Sequence, residues 1–143
     1  MLGIQGAEHE ESSPTAPTLL ISKLSCSLAG KTQSIRVVTD SHAHRAYGQK
    51  EVIEQFYCNY GLNPAFRNDI NKGQLKVTGA DLDGEVRIVE LSDHPFYVAT
   101  LFLPQVSSTP GSPHPILVAY LKAARSFQVS RKSNETRGTV CKI

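Results

Sequence analysis

Thiols and imidazoles are the side chains here that could do chemistry, and their spacing argues against most of it. Cys26, Cys58 and Cys141 form no CxxC pair and leave an odd thiol under any disulfide scheme. That pattern suits a reducing compartment, with buried or incidental thiols. Of His9, His42, His44, His94 and His114, only His42 and His44 are close in sequence. On a strand such a pair points to opposite faces, and on a turn it splays, so a surface pair is expected and no metal site. No cofactor is called for.

The bulk numbers exclude further classes. The chain has 143 residues, 40% apolar and 20% charged, with a formal charge of +2. These values suit one ordinary globular domain. Basic residues gather only in the Arg125–Lys142 region, so there is no nucleic-acid argument, and that stretch reads as a solvated end. No apolar run approaches a membrane span. The opening MLGIQGAEHEESSP carries acids where a signal peptide needs bases, so the expected setting is cytoplasmic.

The elements that must position any site read as a mixture of strands and helices. Met1–Glu11 suggests a short helical turn weakened by Gly3 and Gly6, and Ser12–Thr18 a loop. Leu19–Leu24 is an extended segment, and Gln33–Val38 and Glu51–Tyr60 are strands rich in β-formers. Asp40–Tyr47 is a helical turn ended by Gly48, and Asn63 followed by Pro64 starts a helix to Asn71. Gln74–Gly79 and Glu85–Leu91 form a hairpin across Asp81-Leu82-Asp83-Gly84, the second strand being covered on both faces. Phe96–Leu103 reads as an apolar strand. Ser112–Phe127 is a helix with Leu117, Tyr120, Leu121 and Ala124 on one stripe. The predicted domain is 1–127, with 128–143 an unstructured tail.

Several blocks carry a resemblance. Ile88–Gln105, IVELSDHPFYVATLFLPQ, resembles IIELPDHPWFVATQFHPE of the CTP synthase glutaminase, a class I glutamine amidotransferase domain. Leu2–Glu11 is similar to LGLKDANSTE, Lys31–Val38 to GGTMRLG, Ala46–Ile53 to EAYGEEVI, and Pro113–Ala124 to RPHPLFLGFVKAA. The order and spacing match those of that family. FYCNYGLNP, from Phe56 to Pro64, also resembles a CTP-synthase-C-terminal-related (seleno)protein group. The resemblance implies an α/β fold: the C-terminal part of a flavodoxin-like three-layer architecture, without the N-terminal strands and nucleophile elbow.

It also implies lost chemistry. The family's triad His and Glu fall on Leu103 and Gln105. Leucine cannot take a proton from a thiol, and glutamine cannot stabilise an imidazolium by charge. The nucleophile's place falls on Met1 or upstream of it. The family's arginine-rich segment falls on Phe56–Gly61, so a glutamine carboxylate loses its fork; Phe56 and Tyr57 read either as a neutral pocket wall or as aromatics that fill core space vacated by longer side chains. Glu11 is the surviving substrate-binding acid, and a solvated loop acid is its plainer reading. Cys58 or His94 could be offered as a replacement base, but a mid-strand thiol and a turn histidine are better read as structural.

The resemblance thus implies a catalytically incompetent or truncated glutaminase-like domain. One alternative is a fragment of an active CTP-synthase-like amidotransferase whose nucleophile lies upstream. Another is a non-catalytic subunit with a binding or regulatory role. At the nucleophile position, a UGA codon read as a stop would yield such a frame. The missing strands imply a partner, either that half or another subunit, meeting an apolar surface at Val98–Leu103 and Leu117–Ala124.

Overall fold

In the computed structural model, residues 3–138 are described, with side chains described as far as Lys132. Two sheets organise them. A small sheet has the order β1-β2-β5, from Glu8–His9, Leu19–Lys23 and Tyr60–Leu62, with β1 and β2 parallel. The main sheet has the order β4-β3-β6-β7-β8, from Glu51–Phe56, Lys31–Val37, Leu75–Ala80, Val86–Leu91 and Val98–Thr100. Every neighbouring pair in it is antiparallel. Helices α1 (His42–Tyr47), α2 (Arg67–Ile70), α3 (Pro104–Ser107) and α4 (Pro115–Gly138) complete the described elements, with a 3₁₀ turn at Pro64–Phe66.

The core is built from alternate positions of the main sheet. Ile35 and Val37 on β3, Val52 and Phe56 on β4, and Ile88 on β7 cluster with Ala43 of α1, with Phe102, and with Ile116 of α4. Phe56, Phe102, Ile35 and Ile88 are fully buried. Both α1 and α4 therefore lie against one sheet face. β7 is covered on both faces: Val86, Arg87, Ile88 and Glu90 are all buried, as its unbroken pattern predicts.

Local chemistry sets the element ends. Ser41 Oγ accepts from the His44 N–H at 2.9 Å to start α1, and Gly48 closes it at φ 69°. Asn63 Oδ1 accepts from the Ala65 N–H at 3.0 Å, and Pro64 opens the turn that follows. Asp81 Oδ1 accepts from the Asp83 and Glu85 N–H groups and shapes the hairpin, whose Gly84 sits at φ 79°.

The structure departs from the sequence expectations in four places. The expected helical turn at Met1–Glu11 is absent among the described residues: Gly3 and Gly6 take positive φ, and Glu8–His9 pairs with β2. The expected strand Glu51–Tyr60 ends at Phe56, and the chain crosses to the other sheet. Leu24 and Leu28 donate to the Asn59 and Cys58 carbonyls across that gap, and Tyr60–Leu62 pairs with β2. The expected strand Phe96–Leu103 shrinks to Val98–Thr100, because Phe102 turns into the core and Pro104 starts α3. Last, α4 runs through Gly138, over most of the stretch expected to be an unstructured tail. Its composition there, rich in Arg, Lys, Gln and Ser, disfavours burial but not the helix itself. Residues 139–143 lie outside the described residues, Cys141 among them.

Apolar exposure also differs from expectation. Phe102 is buried and Val98 and Leu101 are half-buried, whereas Leu103, Tyr120, Leu121 and Phe127 are exposed. Exposed apolar side chains on α4 are joined by others elsewhere, Ile53 and Leu82 among them. Between the two sheets a second apolar concavity, of about 250 Å³, is lined by Leu20, Leu62, Ile70, Leu75 and Val89.

Phe56 offers the most direct check of this core. Its truncation to Ala should cost about 3–5 kcal/mol, the range for an aromatic leaving a cavity. Urea unfolding with an unchanged slope and a lower midpoint is the expected outcome.

Candidate functional site

The segment after β8 brings the expected site residues into view. Leu103 precedes α3 as its N-terminal flanking residue, half-turned to solvent, and Gln105 is exposed within α3. The β4–β5 crossing comes up against this segment. The Cys58 thiol donates to the Leu101 carbonyl at 3.0 Å, and the Phe56 and Phe102 rings meet edge to face with centroids 5.9 Å apart. The chain thus holds Cys58 against the Leu101 carbonyl, two residues before the leucine.

Of the two readings of Phe56, the pocket wall needs correction and core filling is what the structure shows. Phe56 has no exposed surface: it packs on Phe102 and lies under the Arg87 guanidinium, 5.6 Å from ring centroid to Cζ. It is a core residue. Tyr57, the next residue, points the other way and is 44% exposed. Glu11 is exposed, and its carboxylate has no hydrogen-bond or ion-pair partner among the described residues. His94 is a turn residue, its Nδ1 accepting from the Phe96 N–H at 3.2 Å while its ring packs on Tyr97. Cys26 is an exposed free thiol. His42 and His44 fall on α1, the first against Phe96 and Arg45, the second accepting from the Asp40 N–H.

A buried polar cluster was not anticipated. His114, just before α4, places Nε2 2.9 Å from Glu54 Oε1, with both side chains nearly inaccessible. The Tyr47 hydroxyl donates to the same oxygen at 2.5 Å. The Ile116 N–H donates to His114 Nδ1 at 3.2 Å, which puts the ring proton on Nε2, facing the carboxylate. Both ring nitrogens are then committed. An imidazole so held has no lone pair to offer a nucleophile, and the triad-like look of Tyr47, Glu54 and His114 is a structural anchor for α4. Burial, then the hydrogen bond and charge of Glu54, hold the Tyr47 phenol far above its ordinary range.

A second buried carboxylate serves α1. Glu90 accepts from the His42 and Ala43 N–H groups at 2.7 and 2.9 Å and from Thr78 Oγ1 at 2.9 Å. It neutralises unpaired donors at a helix start, where negative charge is favoured. The signal for Glu54 was present in the sequence, since Val52, Glu54 and Phe56 share one face of a strand. An acid between two core positions needs buried partners.

Tyr47 gives a pH prediction. Because folding raises its pKa, the stabilisation is complete below pH 10, where an unfolded tyrosine stays neutral, and is lost as pH rises beyond it. Stability should therefore fall above pH 10 by up to about 1.4 kcal/mol per pH unit from this group. In Tyr47→Phe that part of the slope should vanish, at a cost of about 1–3 kcal/mol at neutral pH from the lost donor to Glu54. Urea titrations at pH 8 and pH 11 check both.

Comparison with known proteins places this geometry. No protein-family model matches the chain. CTP synthase of Pelotomaculum thermopropionicum is 34% identical over 143 aligned positions, covering 93% of this chain and 27% of that enzyme. CTP synthase of Flavobacterium johnsoniae is 40% identical over 83 positions, 57% of this chain and 16% of the enzyme. Among solved structures, the Trypanosoma brucei CTP synthase glutaminase domain with bound acivicin superposes with a TM-score of 0.81 at 21% identity. It covers 88% of this chain and 53% of that one. A putative GMP synthase protein from Thermoplasma acidophilum gives 0.58 at 16% identity, covering 78% and 51%. These likenesses establish an α/β fold shared with the glutaminase domain. The chain therefore carries a region of the CTP synthase glutaminase type, and it spans no more than 27% of the curated relatives named here.

Proposed function

We propose that this region is a glutaminase-like module that does not hydrolyse glutamine with its own residues and works by binding. The observation that carries the reading is the pair Leu103 and Gln105, standing where the family's resemblance puts a general base and its orienting acid. A positioned general base contributes roughly 10²–10⁴-fold, and a glutamine amide supplies no charge to an imidazolium. The histidine that is well oriented, His114, has both nitrogens occupied. In this reading the region corresponds to the C-terminal part of a flavodoxin-like three-layer fold, and any nucleophile elbow would come from outside it. The free thiols Cys26 and Cys58 agree with a reducing, cytoplasmic setting.

A second reading, a partner-dependent subunit, is favoured by one specific observation. Tyr120, Leu121 and Phe127 are each more than half exposed along α4. Isolated exposed apolar residues are ordinary, but three on one helix form a candidate contact.

Ammonia release from glutamine should stay at the level of heat-killed protein. Leu103→His combined with Gln105→Glu should not restore it, because the Cys58 thiol is spent on the Leu101 carbonyl and Cys26 lies in the wall of a different cavity. A rate above background in either protein would contradict the proposal. Sedimentation at low concentration separates the second reading, which requires an associated species where the first is satisfied by a monomer.

A further inference from the structure

β4 is an outermost strand of the main sheet, and its free edge differs from the other sheet edges among the described residues. Those belong to β1, β5 and β8, which are two or three residues long, and so short an edge offers little to pair with. β4 has six residues and pairs with β3 in one unbroken register, from Glu51 opposite Arg36 to Phe56 opposite Lys31. It contains no proline, lysine or bulge, the devices that commonly blunt an edge.

The ladder decides which backbone groups stay free. The Val37 N–H donates to the Lys50 carbonyl at 2.8 Å, and hydrogen-bonded pairs alternate along an antiparallel ladder. Val52 and Glu54 therefore turn their N–H and C=O groups toward β3, while Glu51, Ile53 and Gln55 turn theirs outward. No described residue bonds to those outward groups. A concavity of about 780 Å³ runs beside them, lined by Glu51, Ile53 and Gln55 and by Ser107, Ser112 and Pro113. Open space, not another element, flanks this edge. The Ile53 side chain is 72% exposed.

The strand's own residues identify its occupant. Antiparallel self-pairing centred on Ile53 sets Ile53 opposite Ile53 and Glu51 opposite Gln55. Each outward-facing residue then exchanges both backbone hydrogen bonds. Centring on Glu51 would leave Gln55 without such a partner and set two carboxylates face to face. The Ile53 register keeps the acids apart and joins two exposed β-branched side chains as a cross-strand pair. The Ser34 hydroxyl donates to Glu51, which draws that carboxylate toward β3. A two-fold axis through Ile53, perpendicular to the sheet, makes the contact isologous and closed.

We propose that the edge of β4 is a self-association surface: a second copy of this chain pairs with it antiparallel about Ile53, joining two main sheets into one. A single strand pair falls short of the roughly 1,200 Å² of a stable interface, so this dimer is reversible and forms at high concentration. The assignment rests on neither reading of function and does not use the apolar side chains of α4.

Sedimentation of the 143-residue chain between about 1 μM and about 1 mM tests it. A monomer–dimer equilibrium is expected, with the Ile53 and Gln55 amides exchanging at least tenfold more slowly at the upper concentration. Ile53→Lys should weaken dimerisation tenfold or more and leave the thermal midpoint at low concentration unchanged, since that side chain is exposed. Ile53→Pro removes an outward donor and no bond to β3, so it should act in the same way in a folded chain. Leu121→Lys on α4 should leave the equilibrium as it was, which keeps this surface distinct from the helix. A monomer throughout, an assembly larger than a dimer, or a dimer that survives Ile53→Lys would overturn the proposal. So would a dimer abolished by Leu121→Lys.

Discussion

The edge-to-face contact of Phe56 with Phe102 is the constraint on which the arrangement depends. Phe56 ends β4 and Phe102 follows β8, the two outermost strands of the main sheet, so the contact joins its edges across the core. It fixes where residues 101–105 lie, and so where any chemistry from that segment could reach. The same ring supports the Arg87 guanidinium, which Asp81 holds by an ion pair. An arginine in place of Phe56 would bring a charge into the centre of this packing, at a cost burial makes severe.

Around that contact, polar groups do the tethering. Glu90 ties α1 to the sheet, Glu54 ties α4 through His114 and also holds Tyr47, and Asp81 shapes the hairpin and pairs with Arg87. Each carboxylate is buried and meets two or more donors, the condition under which such groups stabilise a fold. Removing one partner leaves a buried charge, so these sites are sensitive without being catalytic. Structural demand accounts for the histidine–carboxylate pair in the core.

Much of this was legible in the sequence. The hairpin over Asp81–Gly84, the caps at Asn63 and Gly48, and the doubly covered β7 follow from residue types and alternation alone. Other features required knowing which elements meet. Glu51–Tyr60 reads as one strand because its β-formers are continuous, but the crossing at Cys58–Asn59 is set by pairing with residues 24 and 28, remote in sequence. Phe56 reads as a pocket wall only while the depth of its position is unknown. The roles of Leu103 and Gln105 come from a resemblance in sequence, and the structure adds only that one flanks and one lies within a short exposed helix.

The most direct test of the central claim is the intact mass of the chain, quenched in acid during incubation with excess glutamine. Glutaminases of the thiol type pass through a glutamyl thioester, which an acid quench preserves. An unchanged mass is the predicted result, since neither Cys26 nor Cys58 stands beside a base. A chain carrying one glutamyl group on any cysteine would contradict the account.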